Sequence, residues 1–201
     1  MTGPAGVCFT PAGFSWAAGG AKVEPVLDLR DYVRTIPDYP RAGIQFRDIT
    51  TLLGHAGAMR HAVEHMSAPF RSAGITHVVG IEARGFILGG AVAVALEAAF
   101  VPLRKPGKLP HVTTAQTYEL EYGTDALEMH IDALSPDCRV LIVDDLIATG
   151  GTALAAVTLA RRSGAEVTGA AFVIDLPELG GLQRVAEQGV RAEALIAFDG
   201  H

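Results

Sequence analysis

Between residues 75 and 198, short apolar runs alternate with helical segments, and this alternation predicts an α/β fold with a mainly parallel sheet flanked by helices. Residues 140–143 are all apolar, which is typical of a strand buried on both faces. Alternating segments on either side of Gly123 predict a hairpin. Strands are predicted at 75–81, 100–103, 139–143, 167–174 and 194–198, and helices at 55–72, 85–98, 152–163 and 182–188.

The length of 201 residues allows one or two domains. No Ser-, Gly- or Pro-rich linker interrupts the middle of the chain, so we expect a single domain over residues 23–201. Residues 1–22 are rich in Gly, Ala and Pro and carry almost no charge before Lys22, and we expect them to form a flexible extension.

Composition excludes several classes of protein. The net charge of -6 disfavours a broad nucleic-acid surface, which needs a basic footprint. A nest of backbone N–H groups can still hold a phosphate in an acidic protein. The most apolar internal window, residues 85–96, is too short to cross a bilayer. Two cysteines, Cys8 and Cys138, make no disulfide framework, so we expect a reducing, cytoplasmic compartment.

The segment 139–152, RVLIVDDLIATGGT, carries the strongest chemical signal. Its apolar run leads into Asp144 and Asp145, at the end of a strand where α/β sheets bind ligands. A small-residue turn and a new helix follow. Glycines let the backbone approach a ligand, and a helix N-terminus attracts anions. Thr149 and Thr152 add hydroxyl groups. The segment predicts a ribose-phosphate site, with the carboxylates facing vicinal hydroxyls.

An ordinary turn between a strand and a helix, in which Asp and Thr cap the helix, is the alternative interpretation of this segment. The complete run is more specific than such a cap. It is not a Walker A loop, since no Gly-Lys-Ser/Thr follows, and it is not a GxGxxG dinucleotide turn.

The run 140–152 resembles the phosphoribosyl-diphosphate motif of type I phosphoribosyltransferases, and further segments resemble the adenine phosphoribosyltransferases among them. These segments are RTIPDYP at 34–40, GIQFRDIT at 43–50, EARGF at 82–86, RKPGKLP at 104–110, YELEYG at 118–123 and LPELGG at 176–181. The resemblance covers about residues 28 to 198. It implies a parallel-sheet core, a small hood at about residues 36–50 and a mobile hairpin loop.

The resemblance also implies the reaction. Adenine and 5-phosphoribosyl 1-diphosphate would give AMP and diphosphate, with Mg²⁺ as cofactor, in a cytoplasmic homodimer that binds neither nucleic acid nor a membrane. The magnesium ion would be held mainly by the substrate, with water linking it to Asp144 or Asp145, and not by protein side chains alone.

The resemblance assigns the phosphoribosyl-diphosphate site residue by residue. The 5-phosphate would be wrapped by Ala148, Thr149, Gly150, Gly151 and Thr152. Asp144 and Asp145 would face the ribose hydroxyls, and Arg84 would lie near the diphosphate and act in catalysis. Further cations, from the same protomer or across a dimer interface, would come from Arg104, Lys105 and Lys108.

For the base, the resemblance implies that Phe46 stacks on adenine, Gln45 presents main-chain groups to it and Arg47 closes over it. Glu121 would be the proton-handling carboxylate of the mobile loop, with Tyr122 beside it in the phosphoribosyl-diphosphate site. A carboxylate is useful here because the neutral base is a weak nucleophile until its ring proton is lost.

Each assignment has a plainer alternative. Arg84 would merely cap its strand or pair with Glu82, and the cations of residues 104–108 would be a solvated surface run. Phe46 would be a core side chain, and Glu121 would be solvated.

Three other functions compete with the adenine transferase. The first is a transferase for hypoxanthine, guanine or xanthine, and the second is a regulatory protein that senses phosphoribosyl diphosphate. The third is a metal hydrolase, because His61 and His65 spell H-x-x-E-H and share a helix face. Short motifs of this kind are common by chance, so a histidine-rich wet helix face is the favoured interpretation.

Overall fold

The computed structural model describes residues 27–120 and 123–200. Its strands, in chain order, are β1 (Arg34–Pro37), β2 (Gln45–Asp48), β3 (His77–Ile81), β4 (Ala99–Leu103), β5 (Thr113–Leu120), β6 (Gly123–His130), β7 (Arg139–Ile147), β8 (Glu166–Asp175) and β9 (Arg191–Ala197). Its helices are α1 (Thr50–Leu53), α2 (Ala56–Ser67), α3 (Arg84–Ala95), α4 (Gly151–Arg162) and α5 (Gly181–Glu187).

The central sheet has five strands in the order β4-β3-β7-β8-β9, and every neighbouring pair is parallel. This arrangement confirms the predicted α/β fold. None of the helices in the described ranges is long and apolar enough to span a bilayer.

Strand β7 separates two hydrophobic cores. Val140 and Ile142 pack on one face of the sheet with α4, whereas Leu141 and Val143 pack on the other face with α2 and α3. All four side chains are fully buried. Burying a side chain of this size stabilises a fold by about 1.5–3 kcal/mol. The strand that carries the two carboxylates is therefore held from both sides.

The two largest differences between the predicted and the observed element boundaries are at the ends of β7 and α2. β7 continues past residue 143 to Ile147, because it keeps pairing with β8 as far as Ile147 and Asp175. Asp144 and Asp145 thus lie within the C-terminal half of the strand and not after it. The predicted helix 55–72 ends at Ser67 and continues as a 3₁₀ turn over Ala68–Phe70. Pro69 accounts for this, since it lacks an N–H and its ring clashes with the preceding turn.

Two antiparallel hairpins lie outside the central sheet. The first pairs β1 with β2, and the second pairs β5 with β6, as the alternation around Gly123 predicts. Arg162, the last residue of α4, donates to the Ala115 carbonyl over 2.8 Å and to Gln116 Oε1 over 2.6 Å. The base of the β5–β6 hairpin is thereby fixed to the C-terminal end of α4.

Candidate active site

The carboxyl ends of β3 and β7 bring Arg84 and Asp145 together. These strands are neighbours in the sheet, and Arg84 opens α3 shortly after β3 ends. Arg84 Nε lies 2.7 Å from Asp145 Oδ2, and Asp145 is buried. The alternative in which Arg84 pairs with Glu82 is therefore wrong, since Glu82 binds Arg104 instead.

Asp144 lines a cavity of about 170 Å³ beside the turn that follows β7. Lining this cavity with it are the five turn residues of the prediction, Ala148, Thr149, Gly150, Gly151 and Thr152. Burial, together with the charge of Asp145, raises the pKa of Asp144 well above its ordinary value. The cavity thus combines a carboxyl group of raised pKa with a turn of small residues.

The turn leads directly into α4. Gly150 has φ +83°, a left-handed conformation that favours glycine, and Gly151 is the first residue of the helix. The first N–H groups of a helix have no partner within it, and the helix dipole adds partial positive charge there. This end of α4 is suited to hold a phosphate.

Gly181 and Arg184 each donate a hydrogen bond to a carbonyl group of the turn, and sequence reasoning gave neither of them a role. Gly181 N donates to the Ala148 carbonyl over 3.0 Å. A Cβ at position 181 would lie 2.2 Å from that oxygen, so only glycine fits. Arg184 Nη1 donates to the Thr149 carbonyl over 2.5 Å. The only signal in the sequence was the Gly-Gly pair of the LPELGG segment.

The β1–β2 hairpin reaches the same edge of the sheet. On β2, Gln45 is exposed and Phe46 is half-buried. The guanidinium carbon of Arg84 lies 5.3 Å from the centre of the Phe46 ring. An arginine at this distance from an aromatic face is attracted to it. Phe46 and the Arg84–Asp145 pair therefore belong to one site.

Arg47, the next residue of β2, is buried. It donates to Thr35 Oγ1 over 2.5 Å and to the Asp199 carbonyl over 2.9 Å, and its guanidinium lies 4.5 Å from the centre of the Phe198 ring. Arg47 ties the hairpin to the C-terminal segment in this structure. Its closure over the base stays a prediction.

Two of the three cations expected near the diphosphate have carboxylate partners that sequence reasoning missed. Arg104 binds Glu82 through two 3.2 Å contacts, from Nε and Nη2. These hydrogen bonds hold the pKa of Glu82 below its ordinary value. Lys105 forms an ion pair with Asp125 on β6. Lys108 is exposed.

Glu121 and Tyr122, the predicted loop residues, lie outside the described part of the chain. Their neighbours Leu120 and Gly123 pair with each other.

His61 and His65 stack with ring centres 3.9 Å apart, and His65 Nδ1 bonds the His61 carbonyl. Across residues 27–120 and 123–200, no three His, Cys, Asp or Glu side chains group closely enough to hold a metal ion. The helix therefore offers a zinc ion two histidines and no described third ligand, which leaves the metal hydrolase without structural support.

Known proteins resemble this chain along most of its length. Residues 51–185 match the phosphoribosyl transferase domain family. The adenine phosphoribosyltransferase of Bradyrhizobium sp. (strain ORS 278) is 60% identical over 175 residues, which are 87% of this chain and 98% of that protein.

Solved structures agree with this similarity. The adenine phosphoribosyltransferase of Rhodothermus marinus aligns with a TM-score of 0.80 at 54% identity, over 85% of this chain and 96% of that one. The Saccharomyces cerevisiae adenine phosphoribosyltransferase, solved with an imino-altritol bisphosphate and adenine, aligns with a TM-score of 0.77 at 35% identity. That alignment covers 84% of this chain and 96% of the yeast chain.

Proposed function

The chain belongs to the adenine phosphoribosyltransferase family, and from this premise we propose how its own residues carry out the family's reaction. It is a pentosyltransferase of purine salvage that converts adenine and 5-phosphoribosyl 1-diphosphate to AMP and diphosphate. The bond from the anomeric carbon to the diphosphate breaks, and a bond to a ring nitrogen of adenine forms. Positive charge builds on the ribose and negative charge on the diphosphate, so groups of opposite sign on either side lower the barrier.

A single observation carries the assignment of the site: Arg84 pairs with Asp145 at the edge of the sheet where the adjacent Asp144 and the start of α4 line one cavity. We place the 5-phosphate in the turn of residues 148–152, where backbone N–H groups and the hydroxyls of Thr149 and Thr152 surround it. The diphosphate lies toward Arg84, whose guanidinium stabilises the charge that develops on the leaving group. Arg104, Lys105 and Lys108 add positive charge on the same side.

The two carboxylates have different tasks in this proposal. Asp145 is engaged by Arg84 and fixes the orientation of its guanidinium. Asp144 lines the cavity, so it is the carboxylate that accepts hydrogen bonds from the ribose hydroxyls. An ionised Asp144 also stabilises the positive charge on the ribose.

Magnesium fits this donor set as a cofactor held mainly by the substrate. Mg²⁺ prefers six oxygen ligands in octahedral geometry and retains several waters, whereas this edge supplies Asp144 and an Asp145 that is already paired. Asp144 would hold the ion on the protein side, directly or through water, and the substrate would supply its other oxygen ligands. When bound, the ion neutralises part of the charge on the leaving diphosphate.

The hood supplies the site for adenine. Phe46 offers a half-buried ring for stacking, and Gln45 lies beside it with its backbone in β2. Arg47 is assigned to close over the base, and Glu121 to remove the ring proton with Tyr122 next to it; both assignments rest on the family resemblance. Closure of the hairpin loop would exclude water, which otherwise hydrolyses the activated sugar.

A homodimer is proposed from an apolar face that α3 leaves exposed. Ile87 and Val94, two turns apart on this helix, are 52% and 80% exposed. Phe100 on β4 extends the face, and its ring fits a notch at Gly80, where a Cβ would lie 2.6 Å from the ring. Exposed apolar patches of this kind mark interaction sites. Because the face begins beside Arg84, a partner there would border the active site. We assign the protein to the cytoplasm, in keeping with the sparse cysteines.

The direct test mixes purified protein with adenine, 5-phosphoribosyl 1-diphosphate and magnesium, and follows AMP by chromatography. Hypoxanthine and guanine are run in parallel. We expect product with adenine alone. Product with hypoxanthine or guanine instead would change the assigned base. No product from any base, in a protein that still binds the phosphoribosyl compound, would favour a sensor.

A further inference from the structure

Two side chains of the β5–β6 hairpin hold the ammonium group of Lys105. Lys105 Nζ donates to Tyr118 Oη over 2.9 Å and forms an ion pair with the Asp125 carboxylate. Tyr118 Oη also donates to Asp125 Oδ2 over 3.3 Å, so the three groups form a closed triangle. Lys105 follows β4, whereas Tyr118 and Asp125 are paired across the hairpin. The triangle therefore joins two separate elements.

The carboxylate in this triangle is itself fixed. Asp125 Oδ1 accepts the Ala126 N–H over 2.7 Å, and Tyr118 is only 8% exposed. Burial is the largest single influence on the pKa of Asp125 and acts to raise it. The hydrogen bonds from Lys105, the Ala126 N–H and Tyr118, together with the charge of Lys105, outweigh burial, and the net shift is downward. Asp125 is therefore an anion at neutral pH, and these hydrogen bonds fix the orientation of its carboxylate.

The triangle leaves the ammonium one donor for a ligand. A lysine ammonium has three N–H donors, and two of them are used within the described residues. The Lys105 side chain is 40% exposed, so an oxygen arriving from solvent can reach the third. A flexible lysine held in this way loses less entropy when it binds an anion than a free one does.

We propose that Asp125 is a positioning residue for the transferase reaction: together with Tyr118 it orients the Lys105 ammonium toward the diphosphate group of the substrate. The inference rests on the proposed function, which places Lys105 near the diphosphate. It adds a residue of β6 that touches neither the ribose nor the base and acts through Lys105 alone.

The sign of the effect separates positioning from plain electrostatics. Asp125 is an anion close to a site for another anion. If it acted only through its charge, neutralising it would strengthen diphosphate binding. If it positions Lys105, neutralising it weakens binding, because the ammonium is released into many rotamers. The two explanations predict opposite changes in the same measurement.

The experiment compares Asp125→Asn with Lys105→Met, the double variant and the control Asp132→Asn, all in the full chain. Asp132 is an exposed carboxylate in the turn after β6, so its replacement changes the net charge equally. The readouts are the KM for 5-phosphoribosyl 1-diphosphate, the KM for adenine and the Kd for inorganic diphosphate by calorimetry. Thermal unfolding checks that each variant folds.

We expect Asp125→Asn to raise the KM for 5-phosphoribosyl 1-diphosphate and the Kd for diphosphate about fivefold, an effect of the size typical of one intramolecular hydrogen bond. The KM for adenine should stay the same, as should all constants of Asp132→Asn. Lys105→Met should weaken diphosphate binding by itself. In that background Asp125→Asn should add less than about twofold, since coupled residues are not additive.

Tyr118→Phe, which keeps the buried ring and removes the hydroxyl, provides a second variant should Asp125→Asn fail to fold. It should raise the same KM about twofold, because Lys105 loses one of its two hydrogen-bond partners and keeps Asp125. If Lys105→Met weakens binding while Asp125→Asn strengthens it or leaves it unchanged, the inference is overturned and the role of Lys105 stands. If Lys105→Met has no effect, the role of Lys105 and the inference are both wrong. Absence of AMP formation in the parent protein would separately overturn the proposed function.

Discussion

Arg84 Nε lies 2.7 Å from Asp145 Oδ2; Asp145 lies near the end of β7, and Arg84 follows the end of the neighbouring parallel strand β3. Their exposure is unequal: the Asp145 side chain is 6% exposed and that of Arg84 39%. A buried carboxylate without its partner is costly, whereas an exposed guanidinium is readily hydrated. The pair therefore links the stability of the sheet edge to the cation that we place at the diphosphate.

We predict that Arg84→Met lowers both activity and stability. The kcat/KM should fall at least about 100-fold, since one group that stabilises transition-state charge is lost. The free energy of unfolding should fall by about 1–3 kcal/mol, because the buried Asp145 carboxylate loses its partner. Steady-state kinetics and urea unfolding measure the two effects. The exposed Arg71→Met is the matched control and should change neither. A wild-type kcat/KM in Arg84→Met would disprove the role of this residue.

Asp144 provides a pH-dependent prediction. Its pKa in the folded protein is raised above the ordinary value of 3.8 by burial and by the charge of Asp145, so the ionised form is the unfavourable one. The cost to stability is full above the raised pKa and disappears as the pH falls toward 3.8. Asp144→Asn should therefore raise the Tm at pH 8 by about 2–4 °C, corresponding to about 1 kcal/mol, and this gain should shrink in acid.

Asp144→Asn should also lower the activity, because we assign the ionised Asp144 carboxylate to the ribose hydroxyls. Binding of ribose hydroxyls and magnesium favours the ionised carboxylate, so substrate binding to the parent protein should release protons at every pH where the free protein holds Asp144 protonated. Calorimetry in two buffers of different ionisation enthalpy measures this release, which Asp144→Asn should abolish. Proton release that persists in Asp144→Asn would place the titrating group elsewhere.

Gly181→Ala should distort the turn of residues 148–152, in which we place the 5-phosphate. The added Cβ would lie 2.2 Å from the Ala148 carbonyl oxygen, so the turn must shift. We expect the KM for 5-phosphoribosyl 1-diphosphate to rise about tenfold and the free energy of unfolding to fall by about 1–3 kcal/mol, as for other overpacked sites. Gly189→Ala is the control: Gly189 has φ +73° but an open surrounding, so only the backbone cost of about 1 kcal/mol applies. An unchanged KM in Gly181→Ala would contradict the placement of the phosphate.

The apolar face of α3 predicts a dimer that a single charge disrupts. Sedimentation velocity of the parent protein should give about twice the chain mass of 21.0 kDa. Val94→Lys should shift the population toward monomer, because burying an unpaired ammonium is unfavourable. Ile131→Lys, at a position that is 54% exposed in the turn after β6, should leave the dimer intact. A monomeric parent protein at all concentrations would refute the proposal.

Much of the fold was predictable because its signals are local. The apolar run before Asp144 is typical of a doubly buried strand, and the small residues after it indicated a turn into a helix. The length of β7 was not predictable. A carboxylate has low strand propensity, yet pairing with β8 keeps Asp144 and Asp145 extended.

The partners of the charged residues were also hidden from sequence reasoning. Glu82 is two residues from Arg84 but binds Arg104, and Asp125 binds Lys105 from another strand. Such pairs depend on which loops the fold brings together, and spacing along the chain carries no record of it. Gly181 was missed for the same reason, since the backbone it touches is 33 residues away at Ala148.

Because β7 lies between two cores, we expect its local opening to require more free energy than the opening of the two hairpins. Amide hydrogens in a strand buried on both faces exchange only when the whole protein unfolds, whereas hairpins outside the sheet open separately. We therefore expect Asp144 and Asp145 to lie on one of the most protected segments among residues 27–120 and 123–200. The hairpins that carry Phe46 and Asp125 belong to less protected segments. In the proposed site the substrate therefore binds between the rigid end of β7 and two hairpins that can adjust their positions.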